Sequence, residues 1–252
     1  MKKILVILMF FVLVFSGCKP KKELTFTAAS VLSSGLVHIE GEARAFENTI
    51  GVKITDDKGF TLYAGPVITD AKDMSKFGKF SEDLALNIFP QSDEITVECF
   101  IASPKDGSIT SSETKKLTYN IPYRIVKVFF GNVKLNPEML DCTKVFPVER
   151  RVAKNDTNPE ITTMKFLLLG ATSAEKDEGY SSITPSSLTI NYIKTQGKNV
   201  QIDFGIEMMQ AGGGSCRVGA IRSEITETLQ QFYPGYNVII SSEGNIEEVL
   251  QP

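Results

Sequence analysis

From Leu36 to about Asn120, apolar residues recur at every second position in short runs with turn residues between them. This period constrains the fold more than any other feature of the chain, because it suits strands buried on one face and no helix. Val37 and Ile39 form one such run, and Val52 and Ile54 another, which ends in the turn Asp56-Asp57-Lys58-Gly59. Leu84, Leu86 and Ile88 give a third; Ile95, Val97, Cys99 and Ile101 give a fourth, ahead of the turn Ser103-Pro104-Lys105-Asp106-Gly107. The expectation is a β-sandwich. Period two puts Cys99 on the apolar face, as an inert buried thiol. His38 falls on the opposite face beside Glu40, and with no second histidine to share a metal it reads as a solvated or hydrogen-bonded strand residue.

The chain begins with two lysines, Lys2 and Lys3, followed by an apolar run from Ile4 to Phe15 that is too short for a stop-transfer helix. Ser16 and Gly17 are the small residues a signal peptidase needs, and Cys18 follows at once. Phe15-Ser16-Gly17-Cys18 resembles the bacterial lipobox, with Phe15 where that motif prefers Leu. The resemblance implies cleavage after residue 17, a diacylglycerated Cys18 and a protein held on the extracytoplasmic face of the cell membrane. A plain secretory signal or an uncleaved anchor is the alternative. At about 0.8 kcal/mol per buried CH₂, two or three acyl chains hold a protein firmly. Lys19, Lys21 and Lys22 lie within reach of anionic headgroups.

The length beyond Cys18 suits two modest domains, and a hydrophobic content of 42% supports real cores. The chain has 27 basic and 30 acidic residues and no basic stripe, which argues against a nucleic-acid partner. One histidine and no tryptophan leave little for metal or acid–base chemistry, and weaken a sugar-platform reading.

Residues 18–34 read as a polar tether without sustained periodicity, and residues 35–122 as the sandwich. Pro122 marks the boundary, since the character changes there from all-β to mixed. In 123–252, strands are expected at Val126 to Phe130 and around Val145 to Val152, with the loop Gly131 to Asp141 between them. A helix starts at Thr157-Asn158-Pro159-Glu160 with a capping side chain and Pro at its first position. Its buried stripe is Ile161, Met164, Leu167 and Leu168. Leu188 to Ile193 and Val200 to Phe204 pair through a turn at 196–199. Val218, Ile221, Ile225, Leu229 and Phe232 mark a second amphipathic helix, and Asn237 to Ser241 a last strand. Two helices with one apolar stripe each would cover one face of a single sheet and leave the other face polar.

The first domain, through Leu36-Val37-His38-Ile39-Glu40-Gly41-Glu42-Ala43-Arg44, Phe46-Glu47, Asp57-Lys58-Gly59 and Gly78-Lys79-Phe80, resembles the Gmad-type immunoglobulin-like domain of bacterial envelope proteins. The second carries Leu167-Leu168-Leu169-Gly170-Ala171-Thr172, Glu175, Gly179 and Ser182-Ile183-Thr184-Pro185, then Val200 to Phe204 and Ile225 to Phe232. These blocks resemble, in order, those of the GerMN domain of sporulation and spore germination. Ala171 stands where that family usually has Pro, and the glycine-rich stretch after Phe204 departs from it. The fold class expected is an all-β immunoglobulin-like sandwich followed by an α+β GerMN-like domain. The resemblance implies an envelope or spore-related role. It also implies self-association or docking on related domains, since GerMN domains resemble the ring-building domains of envelope-spanning complexes.

Gly212-Gly213-Gly214-Ser215-Cys216-Arg217 lacks the Lys-Ser/Thr of a P-loop and the last glycine of a nucleophile elbow, so it reads as a flexible connection into the helix. Cys142 and Cys216 share one domain of an exported chain, where a disulfide is permitted; two free thiols are the alternative. Glu175, Asp177 and Glu178 fit no EF-hand and read as a solvated acidic loop, with Glu175 capping the turn at Gly179. Asp203 reads as a structural hydrogen-bonding group. No catalytic residues, cofactor or metal ligands are expected. The function expected is that of a non-enzymatic, lipid-anchored scaffold that binds envelope proteins or itself. The alternative is a peptidoglycan-binding module using Tyr180, Tyr192, Tyr233 and Tyr236. Mass spectrometry of the mature protein should find an acylated Cys18 as its first residue; recovery of Met1 would sink the anchor.

Overall fold

The structure, a computed structural model, describes residues 22–137 and 141–251; Cys18 and the signal segment lie outside them. Seven strands build the sandwich: β1 Leu24–Val31, β2 Val37–Ala43, β3 Thr49–Asp56, β4 Thr61–Ile68, β5 Gly78–Leu84, β6 Glu94–Ala102 and β7 Ile109–Thr118. One sheet has the order β1-β2-β5 and the other β4-β3-β6-β7, with every pair antiparallel. The period-two residues Val37, Ile39, Val52, Ile54, Ile95, Val97, Cys99 and Ile101 all face the core between the sheets. Cys99 is fully buried and unbonded, and burial pushes its thiol up to about 12. Gly41 and Gly51 lie opposite Phe80 and Phe100, and in each a Cβ would come within 2.3 Å of the ring. The missing side chains let those aromatics lie across the neighbouring strand.

Two sandwich expectations are corrected. Leu24–Val31, placed in the tether, is a strand paired along its length with β2, with Leu24 and Phe26 in the core. A register shift between Phe26 and Ala28 breaks its alternation, which hides it from a periodicity reading. Leu86 and Ile88 lie beyond the end of β5, in the loop before β6, where they pack half-buried against the core.

The second domain contains β8 Tyr123–Asn132, β9 Phe146–Ala153, α1 Pro159–Leu169, α2 Ser173–Asp177, β10 Tyr180–Ser181, β11 Ile190–Gln196, β12 Asn199–Phe204, α3 Ser215–Gln230 and β13 Asn237–Ser242. Instead of one sheet there are two, β10-β8-β9 and β11-β12-β13, with β12 and β13 parallel. Both α1 and α3 pack on β8, and α3 also reaches β13. Asn158 and Pro159 do start α1, but the Asn158 side chain bonds Thr157 and caps nothing. Nor is α1 one-sided: Phe166 is as buried as Met164 and Leu167, and its ring meets Phe60 of the sandwich edge-on at 5.9 Å.

Cys142 and Cys216 form a disulfide across 74 positions, with Cα atoms 5.2 Å apart, tying the β8–β9 loop to the first turn of α3. In the chain-entropy account such a closure removes about 4 kcal/mol of freedom from the unfolded state. Peptide mapping without reductant should recover the Cys142–Cys216 pair and a Cys99 thiol. Reduction should lower the melting temperature of the second domain while leaving that of a sandwich-core probe nearer its original value.

Candidate functional site

The β8–β9 hairpin has two long edges: β10 pairs with Gly131 and Asn132 at the far end of β8, and side chains bond further backbone groups along both edges. Along the outer edge of β8, Lys127 N–H donates to Gln231 Oε1, Phe129 N–H to Thr228 Oγ1 and Gly131 N–H to Glu224 Oε1. Alternate strand amides recur at about 6.7 Å and the three acceptors fall on successive turns of one helix face, so one face of α3 extends the ladder. Along β9, the Gln91 side chain accepts from Arg151 N–H at 2.7 Å and donates to its C=O at 2.9 Å. That amide belongs to the sandwich. Gln91 is itself held by Asp56, whose carboxylate takes the amides of Lys58, Phe60 and Gln91 and so fixes both loops that touch the second domain.

Glu224 is fully buried and collects five donors: the amides of Gly131, Ile183 and Thr184 and the hydroxyls of Ser182 and Thr184. Burial pushes its carboxyl up, and the donors pull against that without cancelling it. The stretch Ser182-Ile183-Thr184 is therefore a carboxylate-binding turn.

Arg150, only 3% exposed, forms a two-pronged pair with Glu175 at 2.6 and 2.8 Å. Its guanidinium lies over Phe60 of the sandwich and Phe130 of β8, 5.4 and 6.0 Å from the ring centroids. Glu175 also completes a capping box with Thr172 at the start of α2. Burial opposes its charge, but Arg150 and the Thr172 amide outweigh burial and hold the carboxyl below its usual range. The expectation of a solvated Glu175 at the Gly179 turn is corrected accordingly; Asp177 and Glu178 are exposed.

Around Arg150 opens the largest cavity among those described, about 630 Å³, between the two domains. Lys58 and Gln91 line it from the sandwich, and Tyr123, Arg151, Glu178 and Tyr180 from the second domain. Arg151 stacks on Tyr123 at 4.3 Å and pairs with Asp93. The wall is of mixed charge. It offers hydrogen-bond donors and acceptors from both domains. Among the described residues no three His, Cys, Asp or Glu converge to hold a metal.

The four tyrosines come from different elements. Tyr233 and Tyr236 lie 5.9 Å apart, while Tyr180 belongs to the β8 sheet and Tyr192, under Lys194, to the β11 sheet. All four are half-buried. Asp203 is structural as expected: it accepts from Ser241, Asn191 and the Gly244 amide, which hold it below its usual range against burial. His38 lies between Asp83 at 2.6 Å and Glu40 at 3.0 Å, and these bonds raise its pKa. Of the Gly212 to Arg217 stretch, read as a flexible connection, Gly214 is the N-cap of α3 and Ser215 to Arg217 already form its first turn, with Arg217 Nε–H donating back to Ala211 C=O.

Sequence reasoning missed Arg150 and Glu224. A signal existed for each: Arg150 shares its strand face with Val148 and Val152, and Glu224 sits beside Ile221 and Ile225 on the buried side of α3. A charge on an apolar face is a charge with a partner.

Residues 27–108 match the Gmad2 family, the immunoglobulin-like domain of bacterial spore germination, and residues 127–248 match the Germane family, sporulation and spore germination. The chain carries a Gmad2 domain and a GerMN domain. A search of curated proteins finds no match. Among solved structures, the tandem GerMN domains of the sporulation protein GerM from Bacillus subtilis are 15% identical, with a TM-score of 0.41, over 51% of this chain and 42% of that one. The first GerMN domain of the same protein gives 13% identity and a TM-score of 0.35, covering 49% of this chain and 85% of that one. Both superpositions are partial, and the assignment rests on the family matches. In this chain, then, the GerMN signature holds two carboxylates in place, the half-buried Glu175 and the fully buried Glu224.

Glu175→Leu strands a buried guanidinium and should cost about 3 kcal/mol, whereas Arg150→Met with Glu175→Leu together should cost less; denaturant melts of the three variants decide. Because the Glu175 carboxyl is depressed in the fold, the pair's contribution is complete above about pH 4.3 and is lost as pH falls through the folded value. Acid titration of wild type against the double variant should show that loss only in wild type.

Proposed function

We infer that this protein is a membrane-anchored, non-enzymatic scaffold of a sporulation- or germination-related envelope process, acting through surfaces of its GerMN domain. The observation that carries this reading is the order of its parts. Lys22 and Glu23 enter the sandwich at the end where β2 and β6 finish and β3, β5 and β7 begin, whereas Phe60, Gln91 and Asp93, which hold the second domain, lie at the other end. Along β6, nine residues at about 3.3 Å each separate the two ends by roughly 30 Å. An anchor on Cys18 would hold the GerMN domain away from the bilayer as one rigid piece with the sandwich, a geometry suited to presenting a binding surface.

The absence of enzymatic work is part of this inference. It is supported by the kinds of domain present and by the use of the buried ionic groups as structural pairs.

Sedimentation velocity of the chain from residue 19 onward, run over a concentration range, should show reversible self-association, or association with an envelope protein recovered by pull-down. A strict monomer that captures no protein but pellets tightly with purified sacculi would transfer the function to glycan binding. Release of muropeptide fragments would overturn the non-enzymatic reading.

A further inference from the structure

Five of the twelve exposed large apolar side chains among the described residues gather at one end of the sandwich, the end at which the chain enters it. Phe46 is 50% exposed, Ile68 70%, Met74 53%, Phe77 40% and Ile109 55%. Topology places them together: Ile68 ends β4, Ile109 begins β7, Phe46 lies in the β2–β3 connection, and Met74 and Phe77 lie in the β4–β5 loop.

The loops that display them are built, not loose. Phe46 begins a 3₁₀ turn in which Glu47 and Asn48 adopt left-handed φ values of 52° and 56°, a conformation that costs non-glycine residues energy. Asn48 then fastens the neighbouring loop: its side chain donates to Ala71 C=O at 3.0 Å and its own C=O accepts from Thr69 N–H at 2.8 Å. Arg44 pairs with Glu23 beside the chain entrance and lies 5.7 Å from the Phe77 ring centroid. A shallow groove lined by Glu23, Arg44, Phe46 and Met74 runs between them. Of the acids nearby, Asp73 and Asp106 accept bonds from Ser75 and Ser108 in their own turns, while Glu42 and Glu47 are exposed. Isolated exposed apolar residues are ordinary, but a cluster held out on braced loops marks a contact surface.

We propose that this apolar end, carried by Phe46, Ile68, Met74, Phe77 and Ile109, seats in the lipid–water interface of the membrane to which the chain is anchored. The occupant follows from chain length. Cys18 precedes Lys22 by four residues, a reach of at most about 14 Å, so an acylated Cys18 brings this end, and no other part of the molecule, against the bilayer. Lysines at 19 and 21 flank the approach and favour anionic headgroups, whereas Lys22 is paired with Glu113 at 2.6 Å. Side chains dipping into the interface beside the acyl chains would fix the tilt of the sandwich and, through its rigid junction, the direction in which the GerMN domain points. This inference rests on the anchored reading only for the choice of occupant.

The absence of tryptophan makes a clean test. The chain from Cys18 onward, produced without lipidation, is coupled through its Cys18 thiol to maleimide lipid in vesicles of phosphatidylethanolamine and phosphatidylglycerol. Cys99 is buried and Cys142 and Cys216 are bonded, so coupling is confined to residue 18. Phe46→Trp and Met74→Trp should each shift to shorter wavelength on coupling and lose intensity to brominated lipid, whereas Val133→Trp, exposed on the GerMN domain, should do neither. Phe46→Ser in the Met74→Trp background should weaken that quenching while leaving the melting temperature near the parent value. No quenching at residues 46 and 74, equal quenching at residue 133, or a concentration-dependent shift without vesicles overturns the proposal; the last would assign the surface to self-association. Failure of Cys18 acylation in cells would sink the anchor alone, since coupling in vitro does not depend on it.

Discussion

A guanidinium buried between two aromatic rings organises the molecule. Arg150 cannot be taken out of water without an anion, and Glu175 supplies it in the one geometry that satisfies both prongs. To be there, Glu175 must sit at the third position of α2, which the Thr172 capping box fixes, and the chain from Gly170 must turn to deliver it. The same cation rests on Phe60, a residue of the other domain. The position of α2, the packing of β9 and the docking of the sandwich are thus conditions of a single electrostatic requirement.

The hairpin at the centre of the GerMN domain illustrates how a short sheet can end without exposing its edges. A free edge invites another strand, and natural proteins usually cover or charge it. Here α3 lends Glu224, Thr228 and Gln231 to one edge, and the Gln91 amide, which has the donor and acceptor spacing of a peptide group, finishes part of the other. Because Gln91 comes from the sandwich, the junction is made of the same directional bonds as the sheet itself. Rigidity between the domains follows from that, with Phe60 against Phe166 adding the apolar share.

The fold was legible where burial is one-sided and regular. β2, β3 and β6 alternate without interruption, and α3 repeats its apolar residues at helical spacing, so their faces could be read directly. β1 escaped because a bulge shifts its phase, and the two-sheet arrangement escaped because strand order is decided by contacts far apart in sequence. Cys142 and Cys216 could be paired by compartment and count. The ionic centres were not legible in the same way: Arg150 and Glu175 are 25 residues apart, and only the fold reveals that a charge interrupting an apolar face is answered by one from a loop. The family blocks took in Thr172, Glu175 and the Ser182 to Thr184 turn without saying why they matter and left out Arg150 and Glu224; the geometry supplies the reason, since that turn receives Glu224.

The disulfide carries a further consequence, one of order in time. Its cysteines are 74 positions apart, and between them lie α1, α2 and every strand from β9 to β12. A chain is made from its N-terminus, so every strand of the sandwich is available before Cys216, and the disulfide cannot close until nearly the whole GerMN domain has been added. During that interval Phe60 and Gln91 already stand at the end of a finished sandwich. The first domain can thus act as the template on which the second assembles, and the covalent bond arrives last, to seal a structure whose orientation has already been chosen.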